Sequence, residues 1–363
     1  MLMLNKIKKS LAQVAANSKA FFNKHKKPIL ITTGVLTALL FVGVLFALTR
    51  SDTVTRTDPN TSAEPAEPEI VLVPSPLTGK EVTKDLAERP TVAVIVENSP
   101  DARPQSGLIK SGAVFEFIVE GGITRFVALH QEEMAEKIGP VRSLRTYFID
   151  VGMGFDAGIA HDGGDPLAIQ QFSQFGGRDL AGGGIYWRAN DRYAPHNEYT
   201  SGELAYGLMK TRGFTSSENV PWVRKKDAPL EVPTASRINI NLSSFLFKVN
   251  YTYSPTTNTY NRSMADQAHK DKETAKRLSP DVVVVIQAPH RKVDSIHLGI
   301  DLVGTGTAWI FQDGGVTKGK WKKASRTDAN FSFVDNEGKA IALNTGQVWV
   351  TTIPTDRTVE YSP

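Results

Sequence analysis

Glycines, arginines, histidines and acids gather in four short stretches of an otherwise ordinary chain. The first two are Glu120-Gly121-Gly122-Ile123-Thr124-Arg125-Phe126 and Gly139-Pro140-Val141-Arg142-Ser143-Leu144-Arg145. His161-Asp162-Gly163-Gly164-Asp165 and Pro195-His196-Asn197 follow. Arg142 and Arg145 are three positions apart. A helix starting near Arg142 would put both on one face close to its N-terminus. Guanidinium forks beside free backbone N–H groups suit a phosphate or a carboxylate. Arg125 on the preceding strand would join them, and Gly121, Gly122 and Gly139 would let a ligand approach the backbone. A second reading stands beside this one: the same arginines pair with Glu116, Glu120 or Asp150 and only fix strand to helix.

His161, Asp162, Asp165 and His196 are side chains of the kind that hold zinc or another divalent ion. The histidines lie 35 residues apart, with no H-E-x-x-H helix to preset a site, so no metal is assigned. The favoured reading is a hydrogen-bonded brace for loops, with acid–base groups or ligand contacts as the alternative. Glu120 and Asn197 complete the polar set. Ser143 lacks a G-x-S-x-G elbow and reads as an N-cap or first-turn serine. There is no P-loop, and Gly152-Met153-Gly154 is followed by Phe155-Asp156-Ala157 without dinucleotide-binding spacing. The motifs identify neither a catalytic residue nor a cofactor. Lys318-Gly319-Lys320-Trp321-Lys322-Lys323 would either meet an acidic polymer or form the solvated face of a hairpin with Trp321 in the core.

The elements that must position these residues are legible by period. Thr91–Glu97 reads as a buried strand. Residues 113–120 and 123–131 read as strands joined by the Gly121-Gly122 turn. A helix over 144–151, a strand over 157–160 ending at His161, and a helix from Pro166 to Phe175 follow. Thr200-Ser201-Gly202-Glu203 has capping-box spacing and opens a helix closed by Gly213. Strands alternating with helices predict an α/β domain over 76–213. Residues 214–236 are polar and read as a connector. From 237 to 355 the pattern predicts a mostly antiparallel β domain, with turns at Asp313-Gly314-Gly315, Asn336-Glu337-Gly338 and Asn344-Thr345-Gly346. Residues 356–363 are a tail.

Residues 28–49 carry no charge and, as a helix, would span roughly 33 Å, enough to cross a bilayer. Seven lysines and no acid occupy residues 1–27. By the positive-inside rule this basic tail is cytoplasmic and the bulk of the chain extracytoplasmic, on a single-pass anchor. The alternative is a cleaved signal peptide. Residues 50–75, rich in Pro, Thr, Glu and Ala, read as a disordered tether. The net charge of +4 comes from that lysine-rich tail, so the pI near 9.0 gives no case for nucleic acid. The chain of 363 residues has no cysteine, which excludes disulfides, thiolate metal sites, cysteine nucleophiles and lipid attachment through a cysteine.

Taken in order, the four stretches, with Arg103-Pro104-Gln105-Ser106-Gly107 upstream and Gly338 to Trp349 downstream, resemble the YerB-type family of bacterial envelope proteins. The likeness covers about residues 75 to 355. It implies a two-domain envelope protein whose activity the family does not define. Members are described as lipoproteins; here an apolar helix stands in place of the lipid anchor. A looser likeness links the arginine-bearing strand, the Pro-Val-Arg turn and the helix to the LytR-CpsA-Psr glycan ligases, whose arginines hold a polyprenyl pyrophosphate. The Asp that should follow Arg142 in that pattern is Ser143. The expectation is therefore a binding or scaffold module for an anionic envelope ligand, held by Arg125, Arg142 and Arg145. The alternatives are an enzyme on phosphorylated glycan or lipid-linked intermediates, and a purely structural protein. Partners would be the membrane and cell-wall glycan, a lipid-linked intermediate or an envelope protein.

Overall fold

The computed structural model describes residues 71–218, 221–327 and 330–363. The expected basic tail, membrane span and most of the tether lie outside the described residues. Among those described, no helix is long and apolar enough to cross a membrane. The folded unit starts slightly earlier than the composition implies: Leu72–Pro74 pairs antiparallel with Glu81–Thr83.

A nine-stranded sheet organises the unit. Its four N-terminal strands are Val92–Glu97, Ala113–Ile118, Thr124–His130 and Gly158–Ala160. The other five are Val282–Gln287, Gly304–Gln312, Gly315–Lys323, Ser332–Val334 and Val348–Ile353. The two sets join because Val348–Ile353 runs parallel to both Ala113–Ile118 and Val282–Gln287. Strands buried on both faces must be apolar at every position. This explains the unbroken runs in Val92–Glu97, Val282–Gln287 and Val348–Ile353, where nearly every residue is buried. The C-terminal half is therefore strand-rich as its turn spacing predicts, and it completes the N-terminal sheet edge to edge.

Alternate residues of the sheet feed two cores. Phe115 and Phe117 point to one, with Phe148 and Phe172 from the helices Thr146–Gly154 and Pro166–Gln174. Val114 and Phe126 point to the other, with Ile238, Ile240 and Tyr251 of a second, five-stranded sheet and Met209 of the helix Gly202–Thr211. That helix is capped by Ser201, which accepts from the Leu204 N–H at 3.1 Å. The capping-box spacing places the cap one residue earlier, at Thr200, which donates instead to Ile185 O. The connector is no loose linker: Trp222 is buried against Phe155 and Phe333, and Arg224–Lys225 pairs with Leu343–Asn344. In the C-terminal tail, Glu360–Ser362 adds an edge strand to the five-stranded sheet. Trp321 is buried while Lys318, Lys320 and Lys322 alternate outward, so the basic run is the solvated face of a hairpin.

Candidate functional site

Val92–Glu97 and Gly158–Ala160 are parallel, so their C-terminal ends open on one edge of the sheet. Functional loops collect at such ends because the chain turns away there and leaves side chains free. Glu97 ends the first strand and His161 follows the second. Thr124–His130 runs the other way and sets Arg125 directly opposite Glu97. Into this edge comes the segment 139–145. Glu97 N–H donates to Pro140 O and Arg142 N–H to Ile95 O, each at 2.9 Å. The segment then zips along residues 162–165: Asp162 N–H donates to Arg142 O at 3.1 Å and Leu144 N–H to Gly163 O at 3.0 Å. Gly139 takes φ +145°, and a Cβ there would meet Glu198 O at 2.9 Å.

These bonds overturn one expectation. Arg142 and Arg145 do not share a helix face, because the helix starts only at Thr146 and Arg145 is extended. The backbone of 141–144 is committed to its neighbours and cannot wind. Ser143 likewise precedes the helix and does not cap it.

The residues nonetheless converge, and Glu97 is where they meet. Its Oε1 lies 2.9 Å from His196 Nδ1 and accepts from Ser99 Oγ at 2.7 Å. Its Oε2 lies 2.5 Å from Arg142 Nη2, off the line of a hydrogen bond. Arg142 Nη2 is also 3.2 Å from His196 Nδ1. A carboxylate on Nδ1 fixes the ring and turns Nε2 outward, where the exposed Asp101 carboxylate stands 3.9 Å away. Beyond His196, Arg188 donates to Asn197 Oδ1 at 3.0 Å and to Glu198 Oε2 at 3.2 Å, with Asp162 Oδ2 4.0 Å off. Burial first, then the hydrogen bond shared with Asp162, pushes the Glu198 carboxyl up to about 7.

An arginine row adjoins this cluster. Arg145 grips Glu120 with two bonds, Nε to Oε1 at 2.7 Å and Nη2 to Oε2 at 2.8 Å. Burial opposes the Glu120 charge, but the Arg145 bonds outweigh it and hold that carboxyl below its ordinary value. Arg125 Nη1 donates to Ser143 O at 3.2 Å, between the other two arginines in sequence. Its Nε is buried without a partner, and no carboxylate pairs with it among the described residues. Burial, then the nearby Arg145, lowers its pKa to about 10. At the adjoining turn a Cβ on Gly121 would meet nothing, and one on Gly122 would meet Ser243 at 3.1 Å.

His161 stands apart. It is buried, with Nδ1 2.7 Å from Gly163 O and Nε2 3.1 Å from Asp179 Oδ1. It braces two loops. Asp165 accepts from Leu167 N–H at 3.0 Å and caps the helix behind it. Among the described residues no three His, Asp or Glu side chains are grouped to hold a metal ion. Glu97, Ser99, Arg188 and Glu198 escaped the sequence reading. The available signal was Glu97 itself, the one charged residue of an apolar strand, followed at once by Asn98-Ser99-Pro100.

Comparison with known proteins is consistent along the chain. Residues 77–215 match the family described as protein of unknown function (DUF3048), N-terminal domain, and 238–350 match its C-terminal domain. YerB of Bacillus subtilis (strain 168), named a candidate lipoprotein, is 32% identical over 288 residues, 77% of this chain and 86% of its own. The crystal structure of Bacillus subtilis YerB superposes with a TM-score of 0.73 at 30% identity, covering 80% of this chain and 100% of that one. The chain belongs to the two-domain YerB family, DUF3048.

Proposed function

We propose that the protein is a membrane-attached, extracytoplasmic binding module that takes an anionic group of a cell-envelope ligand on the row Arg125, Arg142 and Arg145. One observation carries this reading: Arg142 and Arg145 each have an ion-paired carboxylate, and Arg125 has none among the described residues. A largely buried guanidinium that shares the Glu120 carboxylate only at a distance, while Arg145 holds it directly, is costly, and a phosphate or carboxylate would relieve that cost. The open space at Gly121 gives such a group room beside the backbone. Residues 28–49 supply the membrane attachment as a single-pass helix, and the lipoprotein name of YerB supports the same topology. With no cysteine in the chain, the helix takes the place of lipid.

The test is thermal melting of the full chain in detergent with inorganic pyrophosphate. The wild type should be stabilised, Arg125→Lys should keep part of the shift, and Arg125→Ala should lose it. No shift in the wild type, or an equal shift in Arg125→Ala, would sink the reading.

A second reading is enzymatic, on phosphorylated glycan or lipid-linked intermediates. It is favoured by His196, whose Nδ1 is held by Glu97 while Nε2 faces outward, and by Glu198, whose carboxyl near 7 can carry a proton at neutral pH. Ser99 touches the Nδ1 side of the ring and is not placed as its nucleophile. Loss of function in His196→Ala with pyrophosphate binding intact would favour this reading over simple binding.

A further inference from the structure

A separate cleft of 480 Å³ opens between residues 107–137 and 187 on one side and 271–274 on the other. That volume lies within the range of small-ligand sites. One wall is Trp187, held on a short hairpin where it pairs with Tyr199, with the two rings 6.4 Å apart. Lys137 sits over the Tyr199 ring at 4.2 Å and 3.5 Å from Glu273. Glu273 also accepts from Ser106 Oγ at 2.7 Å. Also lining the cleft, Lys110 has no carboxylate partner and Glu136 no cationic partner among the described residues. The buried Asp271 is consumed by Gly107 N–H at 2.7 Å and Thr274 N–H at 3.1 Å.

The accessible charges are thus two ammoniums, Lys110 and Lys137, and two carboxylates, Glu136 and Glu273. A ligand of either net charge meets its like as often as its opposite. A hydroxyl both donates and accepts, so it finds a partner on either kind of group. A flat indole beside such groups suits the C–H face of a sugar ring, burying apolar surface without demanding charge. We propose that this cleft binds a neutral saccharide, with Trp187 as its platform and Lys110 and Glu136 hydrogen-bonded to its hydroxyls. The site is independent of the arginine row and stands or falls alone.

Tryptophan fluorescence reads it directly. The chain has five tryptophans, and Trp222, Trp309, Trp321 and Trp349 are all buried, leaving Trp187 as the one a quencher reaches. The full chain, in a detergent without a sugar headgroup, is titrated with tri-N-acetylchitotriose, maltotriose, trialanine or inorganic phosphate while acrylamide quenching is followed. A neutral sugar should shield the accessible fluorophore, and calorimetric affinity for it should fall about tenfold or more in Trp187→Ala. Because Trp187→Ala also removes packing on Tyr199, the pair Lys110→Met with Glu136→Gln serves as a second variant, keeping the fluorophore and lowering affinity. Shielding by trialanine or phosphate alone, no shielding by either sugar, or sugar affinity unchanged in the second variant would each overturn the proposal.

Discussion

Two arginine–glutamate pairs, built from the same residue types, have opposite surroundings. Arg262 and Glu116 are sealed, both 0% exposed, at 2.8 Å. All three guanidinium nitrogens of Arg262 donate: Nη2 to Glu116, Nη1 to Tyr251 OH at 2.6 Å and Nε to His269 Nδ1 at 3.0 Å. The Trp349 ring covers the guanidinium at 4.4 Å. Glu116 Oε1 accepts from Thr124 Oγ1 at 3.0 Å. His269 accepts on Nδ1, so Nε2–H donates to Gln105 Oε1 at 2.7 Å. Burial first, then Arg262, pushes that imidazole well below its ordinary pKa and keeps it neutral. At Arg142 and Glu97 the accounts stay open. The contact is off-line, His196 Nε2 faces out, and the neighbouring Arg125 has no ion-paired carboxylate among the described residues. A complete set of partners marks a group that holds the fold together; an incomplete set at a sheet edge marks one available to something else. The two are linked, since Gln105 Nε2 donates to both Glu97 O and Asn98 Oδ1.

The largest expected effect comes from breaking the sealed pair. Arg262→Ala leaves Glu116 buried and uncompensated, at a cost of about 3–5 kcal/mol, read from the urea midpoint. Asp150 gives an intermediate case. It is 1% exposed, with Arg326 Nε 2.8 Å from Oδ1 but no aligned hydrogen bond. Burial raises its carboxyl from 3.8 to about 7, partly countered by Arg326. The folded state therefore holds a proton that the unfolded state has released. Stability contributed by this group falls as pH rises from about 4 to about 7, by at most about 1.4 kcal/mol per unit. Asp150→Asn should flatten that slope in melts taken across the range.

At the open pair, Glu97→Gln should cost less than the sealed break, about 1–3 kcal/mol in the urea midpoint. It should also free the His196 ring, seen as a broadened imidazole signal in NMR spectra. A loss as large as that of Arg262→Ala would erase the contrast. The smallest effect belongs to the basic hairpin face: replacing Lys318, Lys320 and Lys322 together by Ala should move stability within about 0.5 kcal/mol per site.

Local chemistry was legible where a single segment decides it. The apolar runs became strands, Pro166 opened a helix, and Gly121-Gly122 turned a hairpin, all because these depend on near neighbours; the helix cap fell on Ser201, one residue past the expected Thr200. The join of Val348–Ile353 to Ala113–Ile118 was not legible, since parallel pairing between distant segments leaves no local signature. Helix expected at Arg142 failed for the same reason: distant backbone partners took its hydrogen bonds. His161 and His196 look alike in sequence, yet one is sealed against Asp179 and the other opens beside Glu97. Only the neighbours, brought by the fold from 18 and 99 residues away, separate them.

The most direct measurement is a ¹⁵N–¹H spectrum of the arginine Nε–H signals in the full chain, with and without inorganic pyrophosphate. The Arg125 signal should shift, with Arg142 and Arg145 following, while the sealed Arg262 signal stays in place. Arginine signals that all stay in place, or an Arg262 shift equal to that of Arg125, would contradict binding on the arginine row.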